Sequence, residues 1–150
     1  MATSLPPPTP PPMATRLGCK LHRTEEGCLL YVGSACRGDP GPAAVGAVIK
    51  AYPDYKLTVS WRASRSLGER TRNEAELEAL LFGMERALES GYKHVLAMTD
   101  SEQVVEQFLK GTSESSLTLW RVKKISVRFC RFSLEHIPRS SNREADSKAN

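Results

Sequence analysis

Three carboxylates stand at the ends of three separate segments of this chain: Glu76 in T-R-N-E-A-E-L, Asp100 in M-T-D-S and Asp146 in N-R-E-A-D. Carboxylates delivered to one place by different segments are the donors that hard metal ions take. A fourth segment, the strand-like run Leu29-Leu30-Tyr31-Val32, leads into G-S-A-C-R-G-D-P-G-P, and the residue that closes its approach is Gly33, which has no side chain to ligate anything. If the four positions form one site, that site lacks a ligand.

Each carboxylate also has an ordinary explanation. On a helical wheel of about 100° per residue, Glu74, Glu78, Glu85 and Glu89 share one flank of an apolar stripe, and Glu76 stands alone on the other, beside Leu80 and Ala87. A solvated glutamate costs a helix nothing there. Asp100 closes an apolar run just before a helix, where functional carboxylates of open sheets sit, but T-D-S-E is equally a capping box in which Thr99 or Asp100 binds free amides. Asp146 falls in the first turn of a terminal helix, where the macrodipole favours an anion.

The elements that would position these residues are legible from periodicity. Gly27 to Val32, Val45 to Tyr52 and Leu57 to Ala63 are apolar or alternating runs of strand length, separated by the turn chemistry of G-D-P-G-P and Y-P-D-Y. Leu77, Leu80, Leu81, Met84, Ala87 and Leu88 then repeat at helical spacing, which predicts a helix over Thr71 to Ser90, opened by Thr71 or Asn73 and stopped by Gly91. His94 to Thr99 reads as a buried strand, Ser101 to Leu109 as a helix ending at Gly111, Ser116 to Val127 as a further helix, Cys130 to Ile137 as a last strand and Asn142 to Ala149 as a short terminal helix. The order β-β-β-α-β-α-α-β-α is that of an α/β domain: a three-stranded antiparallel meander, two further parallel strands joined through helical crossovers, and helices flanking a five-stranded mixed sheet.

At 150 residues the chain suits one domain, residues 27–150, behind a tail, residues 1–26. Residues 1–13 hold six of the ten prolines and cannot build a helix or a ladder strand. No acidic residue precedes Glu25, whereas Arg16, Lys20 and Arg23 do, so the tail reads either as a flexible leader or as an organellar (mitochondrial or plastid) transit segment. There is no long apolar run, hence no predicted membrane span. Cys19, Cys28, Cys36 and Cys130 show no CxxC spacing, which argues for buried or idle thiols over zinc or disulfides. The net charge of +4 is concentrated late: from Arg121 onward eight basic residues (Arg121, Lys123, Lys124, Arg128, Arg131, Arg139, Arg143, Lys148) face three acidic ones. A polyanion is the natural partner of that end; a merely solubilising helix face is the alternative. Trp120 lies within an apolar stripe with Leu117, Val122 and Ile125 and reads as core, with base stacking as the other option.

Taken together and in this order, the motifs resemble the ribonuclease H family from about Leu29 to the C-terminus. L-Y-V-G-S-A-C-R-G-D-P-G-P is similar to the family's L-Y-x-D-G-S-x-x-G-N-P-G, and T-R-N-E-A-E-L, M-T-D-S and H-I-P-R-S-S-N-R-E-A-D follow in register. The last of these is similar to the plant ribonuclease H-like branch. The resemblance implies a ribonuclease H-like fold and a site in which four carboxylates hold two Mg²⁺ (or Mn²⁺) ions for hydrolysis of the RNA strand of RNA/DNA hybrids. It places Glu76, Asp100 and Asp146 at the second, third and fourth carboxylates and His136 at a histidine that helps product leave. It implies nucleic-acid contacts at Arg37, Arg72, Asn73, Arg139 and Asn142, beside the basic Arg121, Lys123, Lys124 and Arg128.

The same alignment sets Gly33 at the first aspartate, the residue expected to bridge both metals. Asp39, six residues on, sits at the turn before Pro40 and is expected to cap that turn. Two cations about 4 Å apart repel strongly, so loss of the shared anion weakens at least one site. Asn150 follows Asp146 by four residues, which leaves a short final helix to carry that ligand. G-S-A-C-R-G has the G-x-x-x-x-G spacing of a phosphate loop, but Asp39-Pro40 follows in place of Lys-Ser/Thr, so a turn into a β-hairpin is expected. The functional expectation is a catalytically impaired ribonuclease H-like module, binding RNA or RNA/DNA hybrid or docking proteins within a ribonucleoprotein such as an organellar ribosome. The alternatives are an active Mg-dependent hybrid ribonuclease and a scaffold that touches only protein.

Overall fold

Alternating and helical periodicity resolve into an α/β sandwich in the computed structural model, which describes residues 27–51, 58–110 and 116–142. The elements are β1 (Gly27–Cys36), β2 (Gly41–Ala51), β3 (Thr58–Arg70), α1 (Arg72–Glu89), β4 (His94–Thr99), α2 (Glu102–Lys110), α3 (Leu117–Ser126) and β5 (Arg131–His136), followed by a 3₁₀ turn over Arg139–Asn142. The sheet order is β3-β2-β1-β4-β5: β1–β2 and β2–β3 pair antiparallel, β1–β4 and β4–β5 parallel. This is the mixed topology expected. The terminal helix expected from Asn142 lies outside the described residues except for Asn142 itself.

The pleat sorts the sheet into two faces. Cys28, Leu30 and Val32 of β1, Val45, Ala47 and Ile49 of β2, and Val95 and Ala97 of β4 are buried with Leu77, Leu80 and Met84 of α1 and Leu119 and Val122 of α3 in one apolar core. Gly83 permits the close approach of α1: a Cβ there would lie 2.6 Å from Leu30 Cδ1 and 3.1 Å from Val32 Cγ1. The capping box opening α1 is complete, with the Thr71 hydroxyl accepting from Glu74 N and Glu74 Oε1 accepting from Thr71 N.

Three readings need correction. The meander strands are longer than their apolar cores, because inter-strand pairing continues through residues of poor strand propensity. β3 runs seven residues past Ala63, and a bulge absorbs Leu67 between the pairs Ala43–Gly68 and Ala44–Ser66, with Gly68 at φ +82°. Trp120 is 46% exposed: Leu119 and Val122, not Trp120, carry the buried side of α3. Cys28 and Cys36 are free thiols, but Cys130 is disulfide-bonded, a pairing that sequence spacing gives no means to see.

Candidate nucleic-acid groove and carboxylate site

The turn between β1 and β2 is fastened to the start of α1. Arg72 N–H, one of the helix's free amides, donates to Asp39 Oδ1 at 3.0 Å, and the Cys36 thiol donates to Arg70 O at 3.2 Å. Asp39 therefore caps α1, not the turn it sits in. The fastening opens a groove of about 510 Å³ lined by Ser34 and Arg37, by Ala43 and Ala44 of β2, by Ser66 of β3, by Arg72 and Glu76 of α1, and by Arg139. Three arginines and one glutamate thus line the same groove. Glu78, two residues further along α1, is instead consumed by an ion pair with Arg70.

Asp100 follows β4 directly. It does not cap α2: the Ser101 hydroxyl accepts from Val104 N at 3.2 Å, and the Thr99 hydroxyl accepts from Ser101 N at 3.2 Å. The Asp100 side chain is 5% exposed, its Oδ2 receives no hydrogen bond among the described residues, and Arg139 Nε stands 3.8 Å from it. A buried carboxylate oxygen without a donor is costly unless something cationic compensates it. Capping does not explain Asp100; the cation beside it is the Arg139 guanidinium.

Gly33 is buried in β1 and pairs with Gly46 of β2. The parallel register with β4 runs Leu29–Leu96, Leu30–Ala97, Tyr31–Met98. The pairing ends there; carried two residues further along the same register, Gly33 would stand level with Asp100, and because side chains alternate along both strands, position 33 and Asp100 would share a face. A side chain at 33 would stand next to the Asp100 carboxylate; glycine leaves that place without one.

The remaining residues singled out by sequence divide between elements. Asn73, in the first turn of α1, is half-buried, with Oδ1 receiving no hydrogen bond. His136 ends β5 in register with Thr99 and is exposed. Asn142 is 1% exposed and its amide donates to Val32 O at 2.6 Å, so it anchors the turn bearing Arg139 onto β1 next to Gly33 and is not presented to a ligand. Arg121, Lys123 and Lys124 lie on α3 and Arg128 just beyond it, and none of them lines the groove. Asp146 lies outside the described residues. Ser66 was missed, since the strand expected from the sequence ended at Ala63, three residues before it.

A β3-β2-β1-β4-β5 sheet with a carboxylate at the end of β4 and another on the helix after the meander is the arrangement of ribonuclease H-like proteins. The chain belongs to the reverse transcriptase-like family, whose model matches residues 31–150. It is 34% identical over 125 residues to ribonuclease HI of Halobacterium salinarum, covering 80% of this chain and 61% of that protein. The crystal structure of RNase H1 from the same archaeon superposes with a TM-score of 0.71 at 30% identity, over 81% of this chain and 92% of that one. The N-terminal RNase H domain of a Mycobacterium tuberculosis protein gives a TM-score of 0.75 at 29% identity, covering 83% and 91%. LC11-RNase H1, solved in complex with RNA/DNA hybrid, gives 0.70 at 29% identity, covering 80% and 91%. The chain spans about three-fifths of the halobacterial protein and a third of the full mycobacterial one.

Magnesium is the metal such a site implies. Among the described residues no group of three His, Cys, Asp or Glu side chains has metal-ligating spacing. Glu76 and the buried, donor-less Asp100 Oδ2 suit one hydrated magnesium, which takes one or two carboxylates and keeps its waters. A pair of ions needs a further anion between them, and the described set does not fit it.

Proposed function

We propose that this domain binds RNA/DNA hybrid or RNA in the arginine-lined groove and has lost efficient hydrolysis. What supports the reading is the β1–β4 register, which, extended two residues past Tyr31–Met98, sets Gly33 level with Asp100 on one face of the sheet, where a bridging carboxylate would have to stand. Arg37, Arg72 and Arg139 would contact phosphates, and Glu76 and Asp100, with Asp146, would hold at most a single firm Mg²⁺ or Mn²⁺. The relatives named ribonuclease H, one of them captured on a hybrid, support the ligand class. The H-x-P-R-x-x-N-x-x-A-D form supports placement in the plant ribonuclease H-like branch, and the basic, acid-poor leader supports service in an organellar ribonucleoprotein such as a ribosome, in contact with its RNA and proteins.

A labelled RNA/DNA hybrid tests both halves. Binding should weaken for Arg37→Ala and Arg72→Ala, each reducing the salt slope by about 1. Cleavage in Mg²⁺ or Mn²⁺ should stay near background. The second reading, an active ribonuclease, draws on Asp100 Oδ2 being buried without a donor, as a metal ligand would be. Turnover that disappears in Glu76→Gln would establish it and defeat the first.

A further inference from the structure

Away from the groove, α3 exposes a stripe that the core does not use. At 100° per residue, Leu117, Trp120, Arg121 and Lys124 fall within an arc of about 100°, while Leu119 and Val122 face inward, and Val127 and Arg128 are exposed just past the end of the helix. Trp120 is 46% exposed, with Lys124 Nζ 5.2 Å from the ring centroid on one face. Trp120, Arg121, Lys124 and Arg128 join no ion pair among the described residues, and no acidic residue occurs from Leu117 to Arg131. The exposed aliphatics Leu117 and Val127 stand ten positions apart, about 15 Å along the helix, with cations between them, so they form no continuous apolar patch for a protein partner.

We propose that this face binds single-stranded nucleic acid, Trp120 stacking on a base while Arg121, Lys124 and Arg128 hold successive phosphates. An aromatic ring within a row of cations is what sequence-tolerant single-strand binding requires, because every base has a π-face and every linkage a charge. Arg121 and Lys124 are separated by about 4.5 Å of helix rise, and Arg128 follows Lys124 by four residues just past the helix end, close enough to follow one strand. The site is built on an element separate from the hybrid groove and does not depend on the reading of that groove.

Fluorescence anisotropy of the full chain with labelled oligo-U and oligo-dT tests it. Both should bind with salt-dependent affinity, Trp120→Ala should weaken binding by on the order of 10-fold and Trp120→Phe should restore most of it. Joint replacement of Arg121, Lys124 and Arg128 by alanine should lower the salt slope by about 2. Arg37→Ala/Arg72→Ala should lose hybrid binding yet keep oligo-dT, a ligand the groove reading does not claim, so failure of the groove reading and of this one are separable. Unchanged oligo-U affinity in a folded Trp120→Ala protein overturns the proposal. So does poly-glutamate binding as tightly as oligo-U at matched charge, which would mark the stripe as a surface for acidic proteins.

Discussion

Restoring a carboxylate at position 33 probes the site most directly. Neighbouring strands lie about 4.8 Å apart, so Gly33→Asp sets a second anion about that far from Asp100 on the same face. At an effective dielectric constant near 20 the repulsion is about 3.5 kcal/mol. Arg139, 3.8 Å from Asp100, offsets part of it, which leaves a net cost of about 2 kcal/mol without metal, or roughly 8 °C in Tm for a domain of this size. Magnesium reverses the sign. If the pair holds the ion with a Kd of about 0.1 mM, 10 mM Mg²⁺ returns about 2.7 kcal/mol, whereas the parent, with Glu76 and Asp100 and a Kd of several mM, gains under about 1 kcal/mol. Thermal melts followed by circular dichroism, with and without 10 mM MgCl₂ and with ionic strength matched by NaCl, separate specific binding from screening. An equal magnesium shift in parent and variant would show that position 33 does not face Asp100 and would refute the reasoning from register.

Gly83→Ala is expected to destabilise by about 1 kcal/mol in a urea titration, because overpacking against Leu30 and Val32 exceeds the roughly 1 kcal/mol that alanine returns in helix propensity; a more stable variant would contradict the close approach. Asn142→Ala removes the buried bond to Val32 O and should cost about 1–2 kcal/mol, while also freeing Arg139 from its position beside Asp100 and so weakening hybrid binding. Burial pushes the Cys28 thiol from 9.0 up to about 12. The folded state therefore favours the neutral form, and its contribution is complete below pH 9 and is lost as pH rises toward 12. Tm should fall across that window by an amount equivalent to a few kcal/mol, and Cys28→Ala should flatten the fall; a parallel curve in the variant would place the cause elsewhere.

Local patterns determined much of this protein. The 3.6-residue repeat and Thr71 located α1 to within a residue, the apolar run His94 to Thr99 located β4, and the four motifs in register announced the family fold, because periodicity, caps and motif spacing are properties of neighbours along the chain. Tertiary structure decided the rest. It carried β3 on to Ser66 through pairing with β2, left Trp120 facing outward, turned Asp39 from its own turn to the cap of α1, and gave the capping of α2 to Ser101 so that Asp100 stood free beside Arg139. The Ala44–Ser66 pairing of β2 with β3, the Asp39 cap and the approach of Arg139 to Asp100 join residues 20 to 40 positions apart, the Ser101 cap is a local choice among competing side chains, and a one-dimensional pattern holds no information on which of several chemically competent neighbours will arrive within hydrogen-bonding distance.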